Sequence, residues 1–159
     1  MRSTLAILAL TLLVCSTALA RPIHFFHADM DGLQETPPNA SPASGFADLT
    51  VDDVTLDYAF HMEFAGLIAP QTASHIHTAP VGVAGPVTIP VPVGSPSDLI
   101  GVLTATQYAN LLAGLLYINV HSTVFPGGEI RGQFSEVPEP ASAGLLIGAG
   151  LLALKRRVR

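Results

Sequence analysis

The chain has 159 residues, of which 49% are hydrophobic and only 12% are charged, and its formal net charge at pH 7 is −5. The charge is unevenly distributed: residues 21–137 hold eleven of the twelve carboxylates against two arginines and no lysine, which is a net charge of −9. A surface of this sign repels nucleic acids and anionic lipids, so a nucleic-acid-binding function is excluded.

The first 20 residues are typical of a cleavable signal peptide. Arg2 precedes an apolar run at residues 5–14, and Ala18 and Ala20 place small side chains three residues and one residue before a cleavage point. The run is too short to span a membrane, which takes about 20 apolar residues. We therefore predict that signal peptidase cleaves after Ala20 and that the protein is exported. The alternative is that residues 1–20 stay as an N-terminal anchor.

Residues 23–135 form one predicted domain, in which apolar and polar side chains alternate with period two, as in strands that bury one face. This alternation, bounded by glycine and proline clusters, predicts strands at residues 23–30, 47–52, 55–64, 73–78, 87–91, 116–122 and 129–135. One short helix is predicted at residues 104–114, with Thr104 as its N-cap and Gly114 as its C-terminal stop. Short strands with a single helix predict an all-β fold, an antiparallel β-sandwich, and exclude a parallel α/β fold, which needs helices between strands.

Two of the predicted strands carry histidines on the face opposite to their aliphatic residues. His75 and His77 stand two residues apart on one strand, and His121 stands on another, so alternation turns all three imidazoles to the outer face. Two imidazoles at this spacing can bind one ion, and three imidazoles with an open coordination position suit zinc or copper. His75, His77 and His121 are therefore a candidate zinc or copper site, one of two interpretations of this face.

The next predicted strand completes this polar face. If residues 123–127 form a hairpin loop, Glu129 lies opposite His121 and Arg131 lies opposite Asn119. In a metal site, Glu129 is a fourth ligand or, with Arg131 and Asn119, belongs to the shell that orients the histidines. The alternative is a polar ladder in which His121 pairs with Glu129, Arg131 is a hydrogen-bonding hub and no ion is bound. The sequence leaves both interpretations open, and both place these groups on one exterior patch.

The C-terminus carries three features in sequence. Pro138, Glu139 and Pro140 are followed by an apolar segment at residues 141–154 and then by a basic tail. The arrangement resembles the PEP-CTERM sorting signal of Gram-negative bacteria, which implies a sorting signal at residues 137–159 and cleavage near the Pro-Glu-Pro by an exosortase-type membrane protease. The apolar segment predicts a hydrophobic helix that anchors the protein in the inner membrane, transiently if it is cleaved and permanently if it is not.

Several segments of the predicted domain resemble the CHRD domain, which is named for chordin and also occurs in exported bacterial proteins. These segments are residues 28–38, 45–47, 75–77, 82–87, 117–121 and 128–133. The resemblance implies an immunoglobulin-like β-sandwich over residues 23–135. It implies no particular activity, because the activity of the family is largely unassigned.

Together these features favour a non-catalytic exported protein of the cell envelope or extracellular matrix of a Gram-negative bacterium. Sorting signals of this type are associated with exopolysaccharide and biofilm matrix. The predicted partners are therefore exopolysaccharide or other surface proteins, besides signal peptidase and the exosortase-type protease. The alternative is a redox metalloenzyme, similar to copper–zinc superoxide dismutase, that uses His75, His77 and His121. No catalytic residue is predicted, since residues 21–159 lack cysteine and no serine there has a nucleophile-elbow context.

Overall fold

The computed structural model describes residues 23–138, which form nine strands and one α-helix. The strands are β1 (Ile23–Asp31), β2 (Ser44–Asp52), β3 (Asp57–Ala65), β4 (Gln71–Thr78), β5 (Val87–Val91), β6 (Ser97–Val102), β7 (Leu116–Ser122), β8 (Ile130–Gln133) and β9 (Ser135–Val137), and helix α1 (Ala105–Leu112) lies between β6 and β7. The predicted signal peptide at residues 1–20 and the predicted hydrophobic helix at residues 141–154 lie outside the described residues. Within residues 23–138, no helix is long and apolar enough to cross a membrane.

The strands pair antiparallel in the order β5-β4-β7-β8-β1-β2-β3-β6, and β9 also pairs with β1. β1 pairs with β2 along its whole length, whereas β8 meets β1 at the pair Arg131 and Asp31. Because this junction is so short, the strands on its two sides form two layers that pack face to face. We call β5, β4, β7 and β8 the front sheet, and β9, β1, β2, β3 and β6 the back sheet. The predicted all-β antiparallel sandwich with one short helix is confirmed.

The core lies between the inward faces of the two sheets. Buried side chains of the back sheet include Phe26, Met30, Leu49, Val51, Phe60 and Met62, and those of the front sheet include Ile76, Ile118, Val120 and Ile130. Burial of one such side chain contributes about 1.5–3 kcal/mol. The described residues contain no cysteine, so this apolar packing rather than disulfide bonding stabilises them.

The segment predicted as one strand at residues 129–135 is two strands. β8 pairs with β7 in the front sheet, β9 pairs with β1 in the back sheet, and the buried Phe134 lies between them. The chain thus passes from one sheet to the other at Phe134. Alternation alone does not encode such a change of partner, because the side chains keep the same period on both sheets.

Strand β6 has no counterpart among the predicted elements. It is the edge strand of the back sheet, next to β3. Its Ile100 and Val102 face outward and are 81% and 64% exposed. Because these apolar residues lie on the outer face, the segment lacks the inward apolar pattern by which the other strands are recognised.

Helix α1 begins and ends as predicted. The hydroxyl of Thr104 accepts a hydrogen bond from the Gln107 backbone N–H at 3.2 Å, and the Gln107 side chain accepts one from the Thr104 N–H at 2.8 Å. This reciprocal pair is a capping box. Gly114 follows the helix with φ of 68°, in the left-handed region where glycine carries no steric cost.

Candidate metal centre

The pairing of β4 with β7 brings the three predicted histidines together. The register places His75 opposite Asn119 and Ala73 opposite His121, so His121 lies one diagonal step from His75. Residues paired across two strands share a face of the sheet, and His77 lies on that face two residues beyond His75. All three imidazoles therefore project from the outer face of the front sheet.

The three rings are close enough to share an ion. One ring nitrogen from each histidine lies within 4.8 Å of the other two. Among the described residues, no other group of three or more histidine, cysteine or carboxylate side chains comes this close together. His75 Nδ1 is 3.2 Å from His121 Nε2. Two nitrogens bound tetrahedrally to one zinc ion at 2.0–2.1 Å stand roughly 3.3 Å apart. The hydrogen-bonded nitrogens of His75 and His121 already have about this separation, and one nitrogen of His77 lies within 4.8 Å of a ring nitrogen of each.

Backbone carbonyls hold two of the rings in a defined orientation. His121 Nδ1 donates to the Pro126 carbonyl at 3.0 Å, and His77 Nδ1 donates to the Gly85 carbonyl at 2.9 Å. Because a carbonyl only accepts, each Nδ1 carries the proton and each Nε2 keeps its lone pair. His77 Nε2 is buried and has no hydrogen-bond partner. This second contact through the other ring nitrogen is the usual setting of a metal-ligating histidine.

Burial favours the uncharged imidazole at His75 and His121. It lowers the pKa of His75, and the neighbouring His77 lowers it further. Burial also lowers the pKa of His121 and outweighs the opposing effect of the Pro126 carbonyl. A neutral imidazole offers its lone pair to a metal without first losing a proton, so the electrostatics of the group suit ligation.

Tyr117 and Arg131 form a stack with His77, in which the Tyr117 ring lies between the other two side chains. The Tyr117 ring stacks on the His77 ring at 5.0 Å and 9°, and the Arg131 guanidinium lies 3.5 Å from the centre of the Tyr117 ring. The Tyr117 hydroxyl accepts a hydrogen bond from the Gly85 N–H at 3.0 Å. The same residue, Gly85, thus contacts both Tyr117 and His77. No local sequence pattern assigns this role to Tyr117, because nothing near it in the sequence indicates a contact with Gly85.

Arg131 is the hydrogen-bonding hub of this face. Its two terminal nitrogens donate to the carbonyls of Val83 at 2.9 Å and Pro80 at 3.1 Å, to Gln133 Oε1 at 3.0 Å and to Thr36 Oγ1 at 3.3 Å. These bonds fix the segment before Gly85 to the sheet. Arg131 therefore acts on His77 through the loop that supplies the Gly85 carbonyl.

The prediction of an exterior patch is wrong for most of the polar residues. Loops cover the outer face of the front sheet, so Asn119 and Arg131 are buried and His77 is only 8% exposed; Glu129 is buried too, among other partners. The covering segments carry the hydrogen-bonding groups of Gly85 and Pro126 that contact the histidines. Period-two alternation distinguishes the two faces of a strand, but it does not show whether a loop covers the outer one.

Glu129 lies elsewhere than predicted. The register between β7 and β8 ends at Val120 and Ile130, and Glu129 Oε1 accepts from the Ser41 hydroxyl at 2.6 Å and from the Ile68 N–H at 2.8 Å. Burial would raise the pKa of Glu129, but hydrogen bonds from Ser122, Ser41 and Ile68 outweigh it and lower the pKa. The Pro126 carbonyl, rather than Glu129, is the group that holds His121.

Asn119 lies opposite Arg131, as predicted. Its side chain also contacts the buried Glu35, whose pKa is raised by burial against the opposing effects of the Thr36 N–H, Arg131 and Asn119. Asn119 Oδ1 and Glu35 Oε1 are buried without a hydrogen-bond partner. Glu35 has no signal in the sequence, because only the folding of residues 32–39 over the sheet brings it to this face.

Two further histidines pair with carboxylates on the back sheet, in what we call the His–Asp row. His27, Asp48, His61 and Asp98 face one another across β1, β2, β3 and β6. Nδ1 of His27 is 2.7 Å from Asp48 and Nδ1 of His61 is 2.7 Å from Asp98. These hydrogen bonds raise the pKa of both histidines above the ordinary value, against the effect of desolvation. The row is a set of exposed ion pairs, distinct from the three-histidine group.

The predicted processing residues lie at the limits of the described chain. Pro138 directly follows β9, while Ala20, Glu139 and Pro140 fall outside the described residues. Cleavage after Ala20 and near the Pro-Glu-Pro therefore stays a prediction.

Comparison with family models agrees with both resemblances noted in the sequence. The model of the CHRD domain matches residues 26–134, and the model of the PEP-CTERM protein-sorting motif matches residues 136–159. A search of curated proteins and of solved structures returned no match.

Proposed function

From the premise that this chain belongs to the CHRD domain family and is an exported protein sorted by an exosortase-type system, we propose that its domain is a non-catalytic metal-binding module. The ion is zinc or copper, and its ligands are His75, His77 and His121. The module acts in the cell envelope or extracellular matrix, where its partners are exopolysaccharide or other surface proteins. An acidic, lysine-free domain suits a soluble role outside the membrane.

The observation that carries the proposal is the lone pair on His77 Nε2. This nitrogen is buried without a hydrogen-bond partner, in a ring that offers one nitrogen within 4.8 Å of a ring nitrogen of His75 and of His121. A polar ladder without an ion leaves that nitrogen unsatisfied, at a cost of about 1–3 kcal/mol. A zinc or copper ion satisfies it and uses the lone pair of His121 Nε2 as well.

The chemistry of the donor set also favours these two metals. Neutral imidazole suits zinc and copper, whereas magnesium and calcium prefer oxygen ligands. His77 and His121, whose Nδ1 atoms donate to carbonyls, present Nε2 to the ion. Orientation of this kind typically strengthens metal affinity by about 10–100-fold. The proposed site is thus preorganised by Pro126 and Gly85 before the ion binds.

The test is metal stoichiometry of the exported protein, purified without a polyhistidine tag and loaded with Zn²⁺ or Cu²⁺. We expect one ion per chain by inductively coupled plasma mass spectrometry, and a loss of affinity of more than about tenfold by calorimetry in His77→Ala. The matched control is His61→Ala on the back sheet, which should keep the ion. Circular dichroism of each variant checks that the fold is retained.

Two results contradict the proposal. One is the absence of a stoichiometric ion after loading with both metals, which leaves the polar ladder as the correct interpretation. The other is equal affinity in His77→Ala and His61→Ala, which places any bound ion outside the three-histidine group.

A further inference from the structure

An apolar patch surrounds the point where the chain leaves the back sheet. We call it the exit patch and define it by Ile23, Phe25, Ile100, Val102 and Val137. The register aligns Val137 with Phe25, Phe25 with Thr50, Thr50 with Ala59 and Ala59 with Ile100, so one row crosses every strand of the back sheet. Four of the five residues that define the patch are large exposed hydrophobics, and Ile23 is partly exposed.

The exit patch includes one wall of a shallow groove. The groove has a volume of about 600 Å³, and its lining includes Ile23, Ala59, Ile100 and Val102. Large exposed apolar areas are uncommon on soluble monomers and mark interaction surfaces. Asp52 and Asp57 also line the groove, so a partner must accept apolar contact next to negative charge.

The position of the chain end indicates what that partner is. Val137 ends β9 within the patch, and only residues 138–140 separate it from the apolar segment at residues 141–154. The four Cα–Cα steps from Val137 to Ala141 span at most about 14 Å. If residues 141–154 enter a bilayer, Val137 and the neighbouring Phe25 must therefore stay within about that distance of the lipid surface.

The N-terminal end of the domain also lies at the exit patch. Ile23, a member of the patch, is the first residue of β1, and the predicted cleavage point after Ala20 is three residues earlier. Both export signals thus join the domain at one end of the back sheet. The loop that carries Pro126 joins β7 to β8 and lies at the opposite end, as does the end of β1 at Asp31, which pairs with Arg131.

We propose that the exit patch docks on the surface of a zwitterionic lipid bilayer while residues 141–154 are in the membrane. The proposal rests on the proposed envelope sorting and is independent of the metal site. Apolar side chains enter the headgroup region of a bilayer, as they do in interfacial segments. Asp52 and Asp57 at the groove oppose anionic lipid, so negatively charged headgroups weaken the contact.

The test uses the full chain with Cys15→Ser, reconstituted in phosphatidylcholine vesicles, with one reporter cysteine at a time. Ile100→Cys and Val102→Cys report on the exit patch, and Val124→Cys, exposed at the opposite end, is the matched control. Each cysteine carries an environment-sensitive fluorophore, and brominated phosphatidylcholine serves as the quencher. We expect several-fold stronger quenching at positions 100 and 102 than at position 124, and a decrease when phosphatidylglycerol is added.

Flotation of the vesicles separates the possible failures. If the protein does not float with the vesicles, both membrane anchoring and docking are wrong. If it floats but position 100 is quenched no more than position 124, the docking proposal alone is overturned. If two copies instead cross-link through Ile100→Cys while lipid quenching stays weak, the patch is an interface between copies, which also overturns it. None of these outcomes bears on the metal site.

Discussion

At the scale of single residues, the loop that holds His121 depends on a glycine. Gly128 has φ of 135°, and a β-carbon at this position would clash with the Glu35 carboxylate. The neighbouring Gly127 has open space around it. Two adjacent glycines of one loop thus differ in both backbone conformation and surroundings.

We predict that Gly128→Ala lowers the free energy of unfolding by about 1–3 kcal/mol, because it combines backbone strain with a steric clash against a buried carboxyl group. Gly127→Ala should change it by no more than about 0.5 kcal/mol. Urea unfolding of both variants measures the difference. Similar stabilities for the two variants would show that Glu35 moves aside and that the conformation of Gly128 is not required.

Among the strands, the pairing of the back sheet places each histidine of the His–Asp row opposite an aspartate, so the strand register sets the pKa of these histidines. His61 faces Asp98 on β6 and also contacts Glu63, while His27 faces Asp48 and contacts Asp29. The raised pKa values mean that both imidazoles bind a proton more tightly in the folded than in the unfolded state. Their contribution to stability is therefore complete below the unfolded value of about 6.5 and is lost as the pH rises through the folded value.

We predict that Asp98→Asn lowers the pKa of His61 and leaves that of His27 nearly unchanged, as measured by NMR titration between about pH 5 and pH 9. The pairs are exposed to solvent, so the stability lost by the wild type across this window should be below about 1 kcal/mol per pair. A pKa of His61 that does not move in the variant would mean that Asp98 is not its partner in solution.

At the scale of the whole molecule, Arg131 links segments that are far apart in sequence. It is 2% exposed and donates hydrogen bonds to Thr36, Pro80 and Val83 from a strand near the end of the domain. The planar guanidinium serves several acceptors and stacks on Tyr117 at the same time, which an ammonium group does not reproduce.

We therefore predict that Arg131→Lys lowers the free energy of unfolding by about 2–4 kcal/mol, since it leaves buried carbonyls without donors. It should also weaken the proposed metal site, because the Gly85 carbonyl that orients His77 belongs to the released segment. Val81→Ala, an exposed change in that segment, is the control and should be neutral. Urea unfolding and metal titration of both variants test this, and unchanged values in Arg131→Lys would show that the loop keeps its position without the guanidinium.

Strands that bury one apolar face could be recognised from the sequence. The surroundings of the side chains on the outer faces could be predicted only in part. Tyr58, Phe60 and Met62 recur at every second position and are buried as predicted, because the side chains of a strand alternate between its two faces with the same period of two. Ile100 breaks this correspondence, since it is apolar and faces outward on an edge strand. Likewise Glu129 follows the alternation of its neighbours, but its partners come from residues 41 and 68.

The all-β class, the inward faces of most strands and the C-terminal sorting motif can be recognised from the sequence alone. These properties depend on short-range periodicity and on linear motifs, which a single chain displays without folding. The fold, in contrast, is needed to bring ring nitrogens of His75 and His121, 46 positions apart, to 3.2 Å from each other. It is also needed to bury the polar face under loops and to place the Gly85 and Pro126 carbonyls against the histidines. Strand register and loop cover are set by contacts between distant segments, and these contacts depend on the packing of the entire domain.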